Sequence, residues 1–253
     1  MALLCLMASA SIFSQALTKE ELDAQKQSNF KKNRLAFNIG LTNPTGDFAS
    51  TNITDVNSGF AQSGLLLSAN YTIMTSKSFG FSFDFKNANF DVESSELEAI
   101  VIEQFRGLAR EINFNVDNYN HSQLTFGFFV QFGEETKFYF NPVFGYSNFS
   151  FAETFISGVT IPNNQMVPPD VSFTEVQSGP NDEALFFGIN AGLDIPISSE
   201  ISFNINVQYF SIEYEFDGFL NYSDSQLNSA RIPLNYDQQV SAFLLGLGIT
   251  HYF

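Results

Sequence analysis

Between Arg34 and Phe253, apolar residues recur at every second position in eight separate segments. The segments run about 35–41, 65–73, 79–85, 124–132, 138–146, 185–195, 201–209 and 243–253. In the third, Phe79, Phe81, Phe83 and Phe85 oppose Gly80, Ser82, Asp84 and Lys86. In the last, Phe243, Leu245, Leu247, Ile249, His251 and Phe253 oppose Leu244, Gly246, Gly248, Thr250 and Tyr252. A period of two sustained this way predicts strands. A soluble sandwich turns its large apolar residues inward. Eight strands closed into a barrel enclose only a narrow interior, with little room for stacked Phe. The ladders are therefore expected outside, against lipid, with Gly, Ser and Asn inside. About 9–11 residues per strand suffice for a tilted crossing.

The breaks between segments alternate in length. Short ones fall at 75–78, 133–136 and 198–200; long ones at about 43–62, 91–120, 153–183 and 217–237. Short turns on one rim and long loops on the other characterise outer-membrane barrels. The expected fold is all-β: an eight-stranded antiparallel up-and-down transmembrane β-barrel with short periplasmic turns and long extracellular loops. An open edge in lipid would leave backbone groups unsatisfied, so segment one should pair with segment eight. Leu97, Ile100, Val101, Leu108 and Ile112 recur at helical spacing, and Ser95 with Glu98 makes a capping box. This predicts a helix over Glu96–Glu111, packed over the barrel mouth or presenting its apolar face to a partner.

Composition sharpens this picture. The chain has 31 Phe and no Trp, and charged residues reach only 15%, well below the ~25% of ordinary soluble domains. The net charge is −16, which excludes nucleic acid as a partner because a phosphate backbone needs a basic face. The long breaks, together with the strand ends beside them that carry Glu213 and Glu215, hold most of the acids and three bases, Arg106, Arg110 and Arg231, and account for the whole net charge. Lys19, Lys26, Lys31, Lys32, Arg34, Lys77 and Lys137 fall on the short-turn side. Ala2 to Phe13 is apolar and small residues follow before Lys19, so residues 1–16 are expected to be a signal peptide. Residues 17–33 would be a periplasmic extension and 34–253 the barrel. Cys5, the single cysteine, lies in that leader with Leu4 ahead of it, which does not make a lipidation site.

Arg34–Phe253 resembles the outer-membrane β-barrel family of OmpA- and OmpX-like, porin-family proteins. The resemblance rests on the final strand ending in Phe253, on Pro44-Thr45-Gly46-Asp47-Phe48 after the first strand, and on Gly–aromatic alternation throughout. His251 stands where that family usually has an aromatic residue. The resemblance implies that Phe253, Ile249 and Leu247 form the signal read by the barrel-assembly machinery. It also implies that outer-membrane lipid and lipopolysaccharide surround the protein. No peptidoglycan-binding domain is expected after the final strand.

Candidate chemistry is sparse. Nucleophilic catalysis needs a hydroxyl or thiol beside a base. His121 adjoins Ser122, but neighbours on a strand point to opposite faces. Asp117 is not pinned by any spacing, and His251 lies on the lipid-facing register. No catalytic, cofactor or metal site is expected; calcium needs six or more oxygens in a compact loop, and no D-x-D-x-D-G run supplies them. Asp84, Lys86 and Asp194 share the inward register and should pair within the lumen. Pro142 breaks a ladder position, as a bulge or a lateral gap. The leading reading is a non-enzymatic outer-membrane barrel with acidic loops, serving a surface or structural role. The alternative is a porin-like or OmpW-like transporter of small apolar molecules, suggested by inward Leu66, Phe129, Phe186 and Leu244.

Overall fold

A computed structural model of the chain describes residues 33–52, 58–161 and 170–253. The expected signal peptide and all but the last residue of the expected extension lie outside the described residues. Eight strands form a ring: β1 (Asn33–Thr45), β3 (Leu65–Met74), β4 (Phe79–Val92), β6 (Tyr119–Phe132), β7 (Lys137–Ser150), β10 (Asn181–Pro196), β11 (Ile201–Asp224) and β12 (Ser229–Tyr252). Each pairs antiparallel with two others. β1 meets both β3 and β12, and the β10–β11 pairing completes the circuit. At the seam Arg34 faces Tyr252 and Thr45 faces Ser241. Backbones crowd there: a Cβ on Gly40 would sit 1.7 Å from the Leu245 carbonyl oxygen, so a larger residue cannot occupy this position without displacing a strand. The first and last segments close the barrel as expected.

Alternation sorts the two faces. Phe37, Ile39, Leu41, Phe83, Phe85, Leu124, Phe128, Phe187, Leu245 and Leu247 are all exposed. Phe81 and Phe126 share the outward register but are half-covered, because they stack on each other at 5.9 Å within the ladder of Phe79, Phe83, Phe128 and Phe144. Each outward run ends above on a polar residue: Asn43, Ser63, Asn87, Ser122, Asn148, Glu183, Ser211 and Ser241. At about 3.3 Å per residue and ~40° of tilt, Leu124–Phe132 rises about 20 Å, close to the ~25 Å apolar band of transmembrane barrels. So continuous an apolar surface is far larger than water tolerates on a monomer. The belt is a lipid face.

Pro142 is neither bulged nor register-shifted. The β6–β7 ladder runs from Gly127–Val143 directly to Val130–Phe140 in one register, omitting the two pairs at Pro142 and Asn141. Proline has no N–H to give there, and the strands on either side hold the register.

The long breaks are not irregular loops. Above the belt, β11 and β12 continue as a hairpin to a tip at Ser225–Asn228, and β9 (Ser172–Gln177), β8 (Thr154–Thr160) and β5 (Ala109–Val116) add to its β11 edge in that order. The two-residue β2 (Ala61–Gln62) pairs with the top of β4. The helix predicted over Glu96–Glu111 is shorter and earlier: α1 spans Ser94–Gln104, and the chain is in β5 from Ala109. Its capping box does not form. Ser95 Oγ bonds the Glu93 carboxylate instead, and Glu93 is the N-cap residue. Nor does α1 cover the barrel mouth. Val101 packs with Ile156 and Phe173 of the upper sheet, flanked by Phe105, Ile112, Phe114 and Tyr222. Of the residues whose spacing suggested one long helix, only Val101 on α1 and Ile112 on β5 meet in this core, and Leu108, between the two elements, is exposed.

Candidate functional site

The lumen has two storeys of different chemistry. In the lower one, on the short-turn side, Arg34 is 1% exposed. Its Nε donates to Asp194 Oδ2 at 2.8 Å, Nη2 to Oδ1 at 3.2 Å, and Nη1 to Asn70 Oδ1 at 2.5 Å. The guanidinium packs against both Phe129 and Tyr139, 5.1 and 4.8 Å from their ring centres, and those two rings stack on each other. Asp194 also accepts from Asn204 Nδ2 (2.6 Å), Tyr252 OH (2.6 Å) and Thr250 Oγ1 (2.9 Å). One carboxylate thus gathers donors from β1, β11 and β12, the strands of the closing seam. A buried charge persists only when paired and hydrogen-bonded in this way.

Arg34 lies on the short-turn side, where the sequence places it, but it is buried in the lumen and not displayed on the rim. Leu35 points to lipid, so by alternation Arg34 points inward; the signal was present in the register. Asp84, Lys86 and Asp194 are buried as expected, but they do not pair with one another. Asp84 accepts from Asn70 Nδ2 at 2.8 Å, and from Ser82 Oγ and Asn141 Nδ2 at 3.3 Å. Lys86 Nζ donates to Asn190 Oδ1 at 2.7 Å and to Gln208 Oε1. Asn190 and Asn204 are buried and partnered; Asn70 is partnered but only partly buried. The free space between Arg34, Asn38, Asp84, Lys86, Asn190 and Asn206 is a cavity of about 20 Å³, room for about one water.

The upper storey is aromatic. Phe48, Phe90, Phe149, Phe186, Phe210, Tyr214 and Phe216 are all buried, packed with Leu66, Val143, Val240 and Leu244. This overturns the expectation that the lumen lacks room for stacked Phe: rings meeting edge to face interlock across the interior, as Phe48 does with Phe90 at 5.1 Å and Phe149 with Phe151 at 4.9 Å. Phe48 is delivered by the first long break. Gly46, at φ +61°, turns the chain into a short 3-10 helix, Gly46–Ala49, whose buried residue is Phe48. Tyr119 OH bonds the Gly59 carbonyl at 2.8 Å across the mouth. The Pro44–Phe48 motif is therefore a stopper.

His121 sits in this cage, fully buried, 4.6 Å from the Phe210 ring. Neither ring nitrogen has a hydrogen-bond partner among the described residues. Ser122 is on the other face, bonded by Asn87 Nδ2 at 2.9 Å. Asp117 accompanies Glu153 in the upper sheet, and His251 is outside, near Glu200. No nucleophile–base pair results. Among the described residues no group of three or more His, Cys, Asp or Glu side chains is placed to hold a metal.

Leu66, Phe186 and Leu244, which suggested an apolar path, are members of the packed upper core, and Phe129 packs with Met74 and Tyr139 below it. The upper sheet turns one face toward the barrel axis. On it, burial raises the half-buried Glu175 carboxyl above the ordinary carboxylate range. At the chain end, Phe253 is half-exposed, stacked on His251 at 5.4 Å, and its backbone exchanges hydrogen bonds with Asn33. Leu247 and Ile249 continue the same lipid-facing register.

No protein-family model matches the chain, and no curated protein does. Solved structures do. Neisserial surface protein A aligns over 87% of this chain and 97% of its own, at 8% identity and a TM-score of 0.42. The outer membrane protein OprG from Pseudomonas aeruginosa covers 88% and 98%, at 13% identity and a TM-score of 0.41. Ail, the attachment invasion locus protein of Yersinia pestis, covers 87% and 99%, at 12% and 0.39. Independently of these likenesses, a ring of eight paired strands, an unbroken lipid-facing belt, short turns on one rim and a lumen filled by side chains define the molecule. The chain is an eight-stranded transmembrane β-barrel of the outer-membrane type.

Proposed function

We propose that this protein is a non-enzymatic barrel of the outer membrane whose role is carried by its exterior and its acidic long-loop rim rather than by passage through the lumen. The observation that carries this reading is the double filling of the interior. Charged and amide groups interlock below, aromatic rings interlock above, and the cavity beside Arg34, Asp84 and Lys86 is about one water in size. A transporter of apolar molecules would need a continuous apolar path, and the residues that suggested one are packed into two separate clusters, Leu66, Phe186 and Leu244 above and Phe129 with Met74 and Tyr139 below. Single-channel recording in planar bilayers tests the proposal. The refolded protein should show no discrete conductance steps at any applied potential; a stable unitary conductance would overturn it.

Outer-membrane lipid and lipopolysaccharide are then the partners of the belt and upper rim. The barrel-assembly machinery is the partner of the final strand, reading Leu247, Ile249 and Phe253. Burial at Phe253 contributes at most ~1.5–3 kcal/mol, so its deletion should leave refolding into micelles intact. In cells the same deletion should strip the protein from the membrane fraction. Normal cellular levels would sink the assembly role.

A further inference from the structure

The outward face of the upper sheet has a composition unlike the rest of the long-loop side. On β11 the lipid-facing positions continue upward as Ser211, Glu213, Glu215 and Asp217, then as Phe219, Asn221 and Ser223. The registers align Asn115, Phe155, Val176, Asn221 and Arg231 in one row across all five strands. The row above it is asparagine, serine and threonine, centred on Thr174. Neither row holds an acid, although these breaks and the strand ends beside them carry the chain's entire net charge of −16.

The bases of this region differ as well. Arg106 pairs with Glu103 and Arg110 with Asp170, each at 2.7 Å. Arg231 makes no ion pair among the described residues and instead lies over the Phe219 ring, 3.6 Å from its centre. Stacking holds the guanidinium plane in place while leaving its N–H edge free, the geometry that grips a carboxylate or phosphate in two parallel bonds. On the next strand is the exposed amide of Asn221. Farther along the same row, three and four strands from Arg231, are the 39% exposed ring of Phe155 and the exposed amide of Asn115, about 14 and about 19 Å away at the usual strand spacing.

We propose that this face docks an acidic saccharide, the carboxylate- or phosphate-bearing sugar of the glycolipid layer in which the barrel stands. Arg231 takes the acid group, the asparagines take hydroxyls, and Phe155 supports a sugar ring. Position argues for that occupant: the face rises directly above the lipid belt on the side turned to the surrounding leaflet. Charge argues for it too. The acid band from Glu213 to Asp217 repels an anion, and the acid-free rows above it admit one. The proposal rests on the long-loop rim facing outward, but its test in solution is independent of the conductance experiment.

The test titrates the micelle-refolded protein with oligogalacturonate and with a neutral malto-oligosaccharide of equal length, by calorimetry. Oligogalacturonate should bind and the neutral chain should not. Arg231→Gln should weaken binding about tenfold, the loss of one charged bidentate contact, while Arg231→Lys keeps the charge, loses the fork and falls between. Phe155→Ser should also weaken it. Wild-type protein should co-elute with more lipopolysaccharide than Arg231→Gln does. A heat-modifiable gel band verifies folding of each variant, and none of these side chains is buried. Equal binding of the neutral chain, unchanged binding by Arg231→Gln, or a dimer in sedimentation that Arg231→Gln or Phe155→Ser dissolves would overturn the proposal; the last would make the face a contact between two copies.

Discussion

The two storeys of the lumen fill the same barrel by opposite means. Below, Arg34, Asp84, Lys86 and Asp194 are held in a network in which most groups satisfy two or more others. Above, Phe48, Phe149, Phe210 and their neighbours fill space with rings and few hydrogen bonds. The polar storey is all-or-none, because removing one member leaves another charged and unpaired in the interior. The aromatic storey is graded, because each ring contributes its own area and cavity cost. Their order along the axis also differs in origin. The polar groups come entirely from barrel strands, whereas the aromatic storey is completed by Phe48 from a loop.

The sharpest way to break this contrast is Asp194→Ala. It strands the Arg34 guanidinium and takes the acceptor from Asn204, Thr250 and Tyr252 at once. Urea unfolding in micelles should show a loss of about 3–5 kcal/mol, the usual cost of breaking a buried ion pair. A loss below about 1 kcal/mol would mean that water enters and the storey is not sealed. Phe48→Ala comes next. A buried Phe→Ala change costs about 3–5 kcal/mol in a core, and the low end, about 3, is expected here because a loop residue can relax. Proteolysis of the 46–60 segment should rise with it. If Phe48→Ala is neutral, the loop is not a stopper.

These two sites also differ in how readable they were. The fold was legible because alternation, break lengths and the need to close a sheet in lipid all point to one topology. The buried state of Asp84, Lys86 and Asp194 followed from the same alternation. Their partners did not: which amide meets Lys86 depends on the stagger between β4, β10 and β11, and no single strand encodes it. Arg34 was readable in principle, one residue before outward Leu35, but its position at the strand end invited assignment to the rim. Phe48 was unreadable for another reason. It lies outside any alternating run, and its burial depends on a turn at Gly46 that aims it at rings supplied by β4 and β7. The upper sheet was missed because the short strands β5, β8 and β9 pair between different breaks, so their partners are far away in sequence.

The double substitution Arg34→Met with Asp194→Leu refines the first prediction. Removing both charges together avoids a stranded ion, and such replacements are often neutral or stabilising. Here Tyr252, Thr250 and Asn204 would still lose an acceptor, so a residual cost of about 1–2 kcal/mol is expected. The double variant should nonetheless be more stable than Asp194→Ala alone in the same urea series. If it is as unstable as the single variant, the network's value lies in the hydrogen bonds to the seam and not in charge pairing.

The smallest effect is expected at a polar link inside the aromatic storey. Tyr214 OH and Ser147 Oγ lie 2.7 Å apart, and Ser147 Oγ also donates to the Ala184 carbonyl at 3.3 Å. With that second partner in place, the tyrosine hydroxyl is the donor of the pair. Tyr214→Phe therefore removes a donor but leaves the serine hydroxyl with its own acceptor, so no buried group is orphaned. The ring keeps its stack on Phe149, 5.0 Å away. The loss should be that of one ordinary hydrogen bond, about 1 kcal/mol, a third or less of what Asp194→Ala costs. Both variants belong in one unfolding series in the same micelles, so that detergent effects cancel. If Tyr214→Phe cost as much as Asp194→Ala, the upper storey would also be held by its polar atoms, and the division between a network below and graded packing above would fail.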